Sequence, residues 1–212
     1  MPSDPGVPAD LLAALLAFDE ERVVALLDAE RARRGVTALV GDLVLPVMRE
    51  VGLGWERGEV SVAQEHLATQ LVRAYLDGLG STLGPGDGPQ VWLACPPREL
   101  HDLPLLAFGV LLRERRWRVR FFGASTPLHD LRRAMRVHHP EVVVVSADDP
   151  ARLRASSVVL DLIAEETTLV LGGRAAQEAG SELAGAVLPA DVVRAADSLG
   201  DLLRRTDLVS AG

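Results

Sequence analysis

The chain has no lysine; all 22 of its basic residues are arginine. A Schiff-base lysine and a P-loop lysine are therefore both excluded. It has a single cysteine, Cys95, so it can build neither a disulfide frame nor a cysteine zinc site. Positive charge is scarce as well. Thirty acids leave a formal net charge of -8, the wrong sign for a nonspecific nucleic-acid binder. No apolar run approaches the roughly 20 residues of a membrane span. The first nine residues carry three prolines and no basic residue, so no charged leader region is expected there. The expectation is a cytoplasmic chain with a native start at Met1 and an irregular stretch from Pro2 to Asp10. What remains is ordinary for a globular chain. Hydrophobic residues make up 48% and charged residues 25% of 212 positions, enough for two small domains. Five histidines are left for metal or proton chemistry.

Residues 1–84 contain no β-rich run and read as a helical bundle. Leu11, Leu12, Leu15 and Leu16 repeat at helical spacing, as do Val23, Val24, Leu26 and Leu27 in a helix started by Asp19 or Glu20. A third helix spans Thr37 to Arg57, bent at Pro46 and ended by Gly58. Ser61 with Gln64 forms a capping box for a fourth helix that runs to about Leu83. Four helices with short turns predict an antiparallel bundle.

Residues 85–90 are a linker by composition. From residue 91 to 212 the pattern alternates. Strands are predicted at Val91–Cys95, Val119–Phe122, Val142–Val145, Thr168–Leu171 and Ala186–Leu188. Helices are expected at about Leu103–Arg115, Leu128–Val137 and Asp191–Arg205. Strict alternation implies a parallel sheet covered on both faces, in the flavodoxin-like order 2-1-3-4-5. In such a sheet a ligand sits at the carboxyl ends of the strands, where the order reverses. That rim gathers Glu99 and His101 after the first strand, Ser146 after the third and Gly172-Gly173 after the fourth. In the bundle, Trp55 ends the third helix while Glu65 and His66 open the fourth. The three share one end of the bundle and would suit a flat ligand. His129, His138 and His139 read as surface residues, and Cys95 as a small buried side chain. The arginines at 113, 115, 116, 118 and 120 read as a solvated helix end plus one strand face.

Together these residues resemble the cobalamin-binding module of light-sensing CarH/LitR-type regulators, related to the cobalamin domain of methionine synthase. Trp55, nine further residues and then Glu65-His66 match that group's Trp-x9-Glu-His pattern. Glu99-x-His101-x-x-Pro104 matches Asp/Glu-x-His-x-x-Gly up to its last position. After Pro104 come 41 residues and then Ser146, the spacing of the group's Ser-x-Leu element, and Gly172-Gly173 matches the final Gly-Gly.

The resemblance implies a cobalamin cofactor, adenosylcobalamin first, with methylcobalamin or hydroxocobalamin as other forms. A corrin already gives cobalt four nitrogens, so one axial histidine suffices. By resemblance, His101 is the lower cobalt ligand and Glu99 fixes its tautomer. Ser146 would bond the base of the displaced nucleotide tail, which Gly172 and Gly173 would let approach the backbone. Trp55, Glu65 and His66 would cover the upper face, with Glu65 on the ribose.

Three positions depart from the group: Pro104 replaces Gly, Asp148 replaces Leu, and Glu56 stands where some members carry a second His. With Asp102 as N-cap, Pro104 falls in a first helical turn, where proline is tolerated. The group's N-terminal DNA-binding domain has no counterpart in this sequence. The expectation is thus a sensory regulator, not an enzyme, without direct nucleic-acid or membrane binding. It would act through a protein partner, such as a transcription regulator, or through a homo-oligomer. Two readings from other classes share the fold. One is a corrinoid methyl carrier of a methyltransferase system. The other is a retooled domain that binds another tetrapyrrole or serves as an anti-repressor interaction module.

Overall fold

The computed structural model describes residues 6–210, with side chains to residue 203. These fall into two compact units that divide between Thr82 and Leu83. No helix among the described residues is long and apolar enough to cross a membrane.

The first unit is helical throughout: α1 (Gly6–Leu16), α2 (Glu20–Ala38), α3 (Leu45–Glu56) and α4 (Val62–Leu83). The start is less irregular than its prolines suggest, because α1 already begins at Gly6; residues 1–5 lie outside the described residues. Leu11 and Leu15 are buried from α1, Val23 and Leu27 from α2 and Val47 and Val51 from α3, each set on one helical face. Asp19 caps α2 by accepting the Arg22 N–H at 3.0 Å. Gly35 breaks α2 with φ +82, so Val36 starts a new helical run. That run widens into a π-helical turn at Leu39–Val44, with the Leu45 N–H bonded five residues back to the Val40 carbonyl. In a regular helix the Pro46 ring would meet the carbonyl four residues earlier. The expected bend at Pro46 is thus taken up by the widened turn directly before it.

The turn from α3 to α4 follows from four residues. Gly58 adopts φ +75 and its N–H bonds the Trp55 carbonyl. Gly54 accepts both the Glu59 and Val60 N–H groups, and a Cβ there would stand 2.7 Å from Val60 Cγ2. Ser61 and Gln64 form the capping box: the Gln64 N–H donates to Ser61 Oγ, and Gln64 Oε1 accepts from the Ser61 N–H at 3.0 Å. Gln64 Nε2 also donates to the Leu16 carbonyl, tying α4 to the end of α1.

The second unit is a five-stranded parallel sheet in the order β2-β1-β3-β4-β5. The strands are β1 (Gln90–Ala94), β2 (Arg118–Gly123), β3 (Val142–Ser146), β4 (Thr168–Gly172) and β5 (Ala186–Val187). The helices are α5 (Leu103–Glu114), α6 (Leu128–His138), α7 (Pro150–Arg154), α8 (Ser157–Ala164), α9 (Arg174–Ala179) and α10 (Val192–Ser210). This is the order expected from the alternation, with the reversal between β1 and β3. All four valines of β3 are buried, as a strand covered on both faces requires. One face packs Trp92, Val143, Val145 and Leu171 against Leu131, Met135, Leu160 and Ile163.

The glycine-rich stretch before β1 is fastened to this unit. Gly86 (φ +71) and Gly88 pass so close to the Arg116 carbonyl that a Cβ would stand 2.3 and 2.9 Å from its oxygen. Asp87 forms a forked ion pair with Arg116. Three more arginines of the run are likewise engaged: Arg115 pairs with Asp197, Arg118 with Glu141, and Arg113 donates to the Val119 carbonyl. His129, His138 and His139 are exposed and Cys95 is buried.

Candidate functional site

The loop after β1 carries Glu99 and His101 to the carboxyl rim of the sheet. Two neighbours hold it there. The Arg98 N–H donates to Ser125 Oγ, and the Ser125 N–H donates to the Glu99 carbonyl at 2.8 Å. Asp102 stands at the N-cap position of α5 but makes no side-chain cap. Its Oδ2 instead accepts the Ala124 N–H after β2. Pro104 lies exposed in the first turn of α5, where its missing N–H is harmless.

Glu99 is 2% exposed. Its Oε1 accepts the His101 backbone N–H at 2.9 Å and lies 2.7 Å from His101 Nδ1. Its Oε2 accepts the backbone N–H groups of Asp148 and Asp149, at 2.9 and 3.3 Å. Burial by itself would raise this carboxyl, but the N–H groups of His101, Asp148 and Asp149 and the imidazole outweigh it and hold it below the usual carboxylate range. Glu99 is therefore an ionised acceptor at neutral pH. Nδ1 must then carry the proton in the neutral ring, and the Nε2 lone pair is left available. The His101 side chain is 75% exposed, and Leu100 beside it is 70% exposed. This is a preoriented imidazole with one free nitrogen next to an exposed leucine.

Ser146, at the end of β3, pairs in register with Gly172 at the end of β4. It is half-buried, and its Oγ has no hydrogen-bond partner among the described residues. The two glycines differ. Gly173 has φ +80, and a Cβ there would stand 2.3 Å from the Ala147 carbonyl oxygen. The turn itself therefore requires this glycine. At Gly172 a Cβ would meet Ser146 Cβ and Oγ at an ordinary 3.6 Å. The protein tolerates a methyl there, so Gly172 leaves unfilled space beside a free hydroxyl. Asp148 makes a forked ion pair with Arg174, at 2.7 and 3.1 Å. Nothing in the sequence spacing announces Arg174 or the two backbone donors to Glu99.

In the helical unit, Trp55 occupies the last turn of α3 and Glu65 and His66 the first turn of α4, joined by the turn described above. Trp55 is 49% exposed, with Leu53 and Val62 also exposed. Glu65 is half-buried and accepts from Thr69 Oγ1, while His66 is exposed.

Two family models match, each described as a B12 binding domain. One covers residues 8–79 and the other residues 89–199. The chain belongs to the B12 binding domain family. Its two units each correspond to one of these models. An HTH-type transcriptional repressor, CarH of Myxococcus xanthus, is 37% identical over 136 residues, covering 64% of this chain and 46% of that protein. The repressor CarA of the same organism is 34% identical over 169 residues, covering 76% of this chain and 56% of that protein. The chain thus spans about half the length of the curated relatives it matches. The monomethylamine corrinoid protein of Methanosarcina barkeri has the same fold, with a TM-score of 0.79 at 13% identity over 94% of this chain and all of that one.

The residues present fit the family's cofactor. His101 would offer such a cofactor's metal one free, oriented imidazole nitrogen. Ser146 Oγ and the open side of Gly172 provide a donor and space at the adjoining strand ends.

Proposed function

We propose that this cobalamin-binding chain is a sensory module that uses adenosylcobalamin as a light-sensitive chromophore and passes the signal to a protein partner or to its own oligomeric state. The observation that carries the reading is the likeness to the CarH and CarA repressors, together with Trp55 and Glu65-His66 on the two helix ends joined by one turn. His101 Nε2 is the lower cobalt ligand, with Glu99 holding Nδ1–H. Ser146 and Gly172 receive the nucleotide tail, and the Gly173 turn shapes the rim beside them. Trp55, Glu65 and His66 contact the upper ligand. Bound adenosylcobalamin would supply a cobalt–carbon bond that light can break. The protein's share is to orient the cofactor and to respond to loss of the upper group. The chain is read as a regulator, not a catalyst.

The test is reconstitution in the dark with adenosylcobalamin, followed by gel filtration, absorbance and mass measurement before and after illumination. Retention of the cofactor, loss of the adenosyl group in light and a change in mass or partner binding are expected. His101→Ala should change the visible spectrum of the bound cofactor. If no cobalamin is retained, the reading fails. If methylcobalamin is retained and its methyl group passes to an acceptor through a partner enzyme, with no response to light, the chain is a methyl carrier instead.

A further inference from the structure

We propose that Asp148 and Arg174 act as a positioning pair for the lower axial ligand; this rests on the reading of His101 as that ligand. The Asp148 carboxylate holds Arg174 through two parallel bonds, from Nε to Oδ1 at 3.1 Å and from Nη2 to Oδ2 at 2.7 Å. This forked geometry fixes direction as well as distance. The same residue's backbone N–H donates to Glu99 Oε2 at 2.9 Å, and Glu99 Oε1 lies 2.7 Å from His101 Nδ1. A continuous path therefore runs from Arg174 through Asp148 and Glu99 to the imidazole.

The loop after β3 is fixed to the turn after β4 by a few other contacts. The Ala147 N–H donates to the Gly172 carbonyl at 3.3 Å, and the Ala175 N–H donates to the Ala147 carbonyl at 3.1 Å. Both contacts are made at Ala147, one residue before the N–H groups that hold Glu99. Beyond Ala147, the Asp148–Arg174 pair is the side-chain tie nearest Glu99; farther along, Arg154 of α7 pairs with Glu178 and Glu182. The Asp148 and Arg174 side chains are 42% and 78% exposed, so the tie is accessible to salt, and the hold on Glu99 becomes dependent on ionic strength.

The experiment compares the wild type with Asp148→Ala, Arg174→Ala and the double variant. Two quantities are read. In the cofactor-free protein, hydrogen exchange at backbone amides 148 and 149 reports the hold on Glu99. In the protein loaded with methylcobalamin in the dark, absorbance reports the fraction with histidine on cobalt. Each single variant should speed exchange at these two amides by about two- to fivefold, the range of an exposed forked pair. The double variant should do no more than either single, because the two residues act as one unit. The histidine-bound fraction should fall in parallel, and 1 M salt should bring the wild type towards the variants. Lower thermal stability with unchanged exchange and spectrum would reduce the pair to a surface brace and overturn the proposal. Additive effects of the two substitutions would overturn it as well. If the wild type retains no methylcobalamin, the cobalamin reading has failed and the ligand-positioning role fails with it. The exchange arm then still shows separately whether the pair controls Glu99.

Discussion

Replacing Glu99 by glutamine should destabilise the sheet unit by about 3 kcal/mol, and the figure follows from the count of donors. The carboxylate has two oxygens and accepts from four N–H groups: the His101 backbone and ring on one oxygen, Asp148 and Asp149 on the other. A carboxamide has one acceptor oxygen. If that oxygen keeps the His101 side, its NH2 faces the N–H groups of Asp148 and Asp149, donor against donor. A buried donor left unsatisfied costs about 1–3 kcal/mol, and these two are part-buried, in the lower half of that range. The Asp149 contact at 3.3 Å belongs at the low end of that range. The remaining bonds also lose the assistance of a full charge. Thermal unfolding of the cofactor-free protein, followed by circular dichroism, should place Glu99→Gln roughly 10 °C or more below the wild type.

The pH dependence gives a second check on the same substitution. The folded-state pKa of Glu99 lies below its ordinary value, so its contribution is fully present above the unfolded pKa of about 4.3. It is lost as pH falls through the lower folded value. The gap between wild type and variant should therefore hold at neutral pH and close in strong acid. A loss under 0.5 kcal/mol at pH 7, or a gap that widens in acid, would refute the account of Glu99 as an ionised and fully bonded anchor.

The two rim glycines should separate in a similar assay. Gly173→Ala forces a side chain into φ +80 and onto the Ala147 carbonyl, and should cost about 3 kcal/mol or more in a urea titration. Gly172→Ala should leave stability within about 1 kcal/mol, yet weaken cobalamin retention by filling the space beside Ser146; equal effects of the two on stability would contradict this. Tyr75, the single tyrosine, has its phenol pushed up to about 12, first by burial and then by its 2.8 Å hydrogen bond to Asp28. An unfolded tyrosine ionises near pH 10, so its stabilising contribution is intact below that value and lost as pH rises towards 12. The ultraviolet phenolate signal should appear late in the folded protein, and a midpoint near 10 would show that the Asp28 contact does not form.

The legible parts of this chain are those fixed by local pattern. Four successive valines, turn glycines and a Ser-Gln capping box act over a few residues, and each lands where its physics directs it. The order of the strands was also accessible, because right-handed parallel crossovers leave few arrangements. What local pattern does not carry is the choice of partner across long separations. The crossover after β3 divides into α7 and α8, with Asp149 capping the first. Asp102 looks like a helix cap and spends its carboxylate on Ala124 instead. Asp148 reads as a departure from a familiar motif until Arg174, 26 residues on, is seen to answer it.

The same contrast changes the meaning of the Gly-Gly pair. As a motif it is one feature with one purpose, close approach of a ligand to the backbone. In the fold its halves obey different constraints. Gly173 is required by the chain's own carbonyl at Ala147, and would be required with or without a ligand. Gly172 meets no such demand, since its backbone is ordinary and its neighbours would accept a methyl. A glycine the fold does not need is a better pointer to a ligand than one it does. Within this motif the functional inference therefore rests on Gly172 and the unbonded hydroxyl of Ser146 beside it.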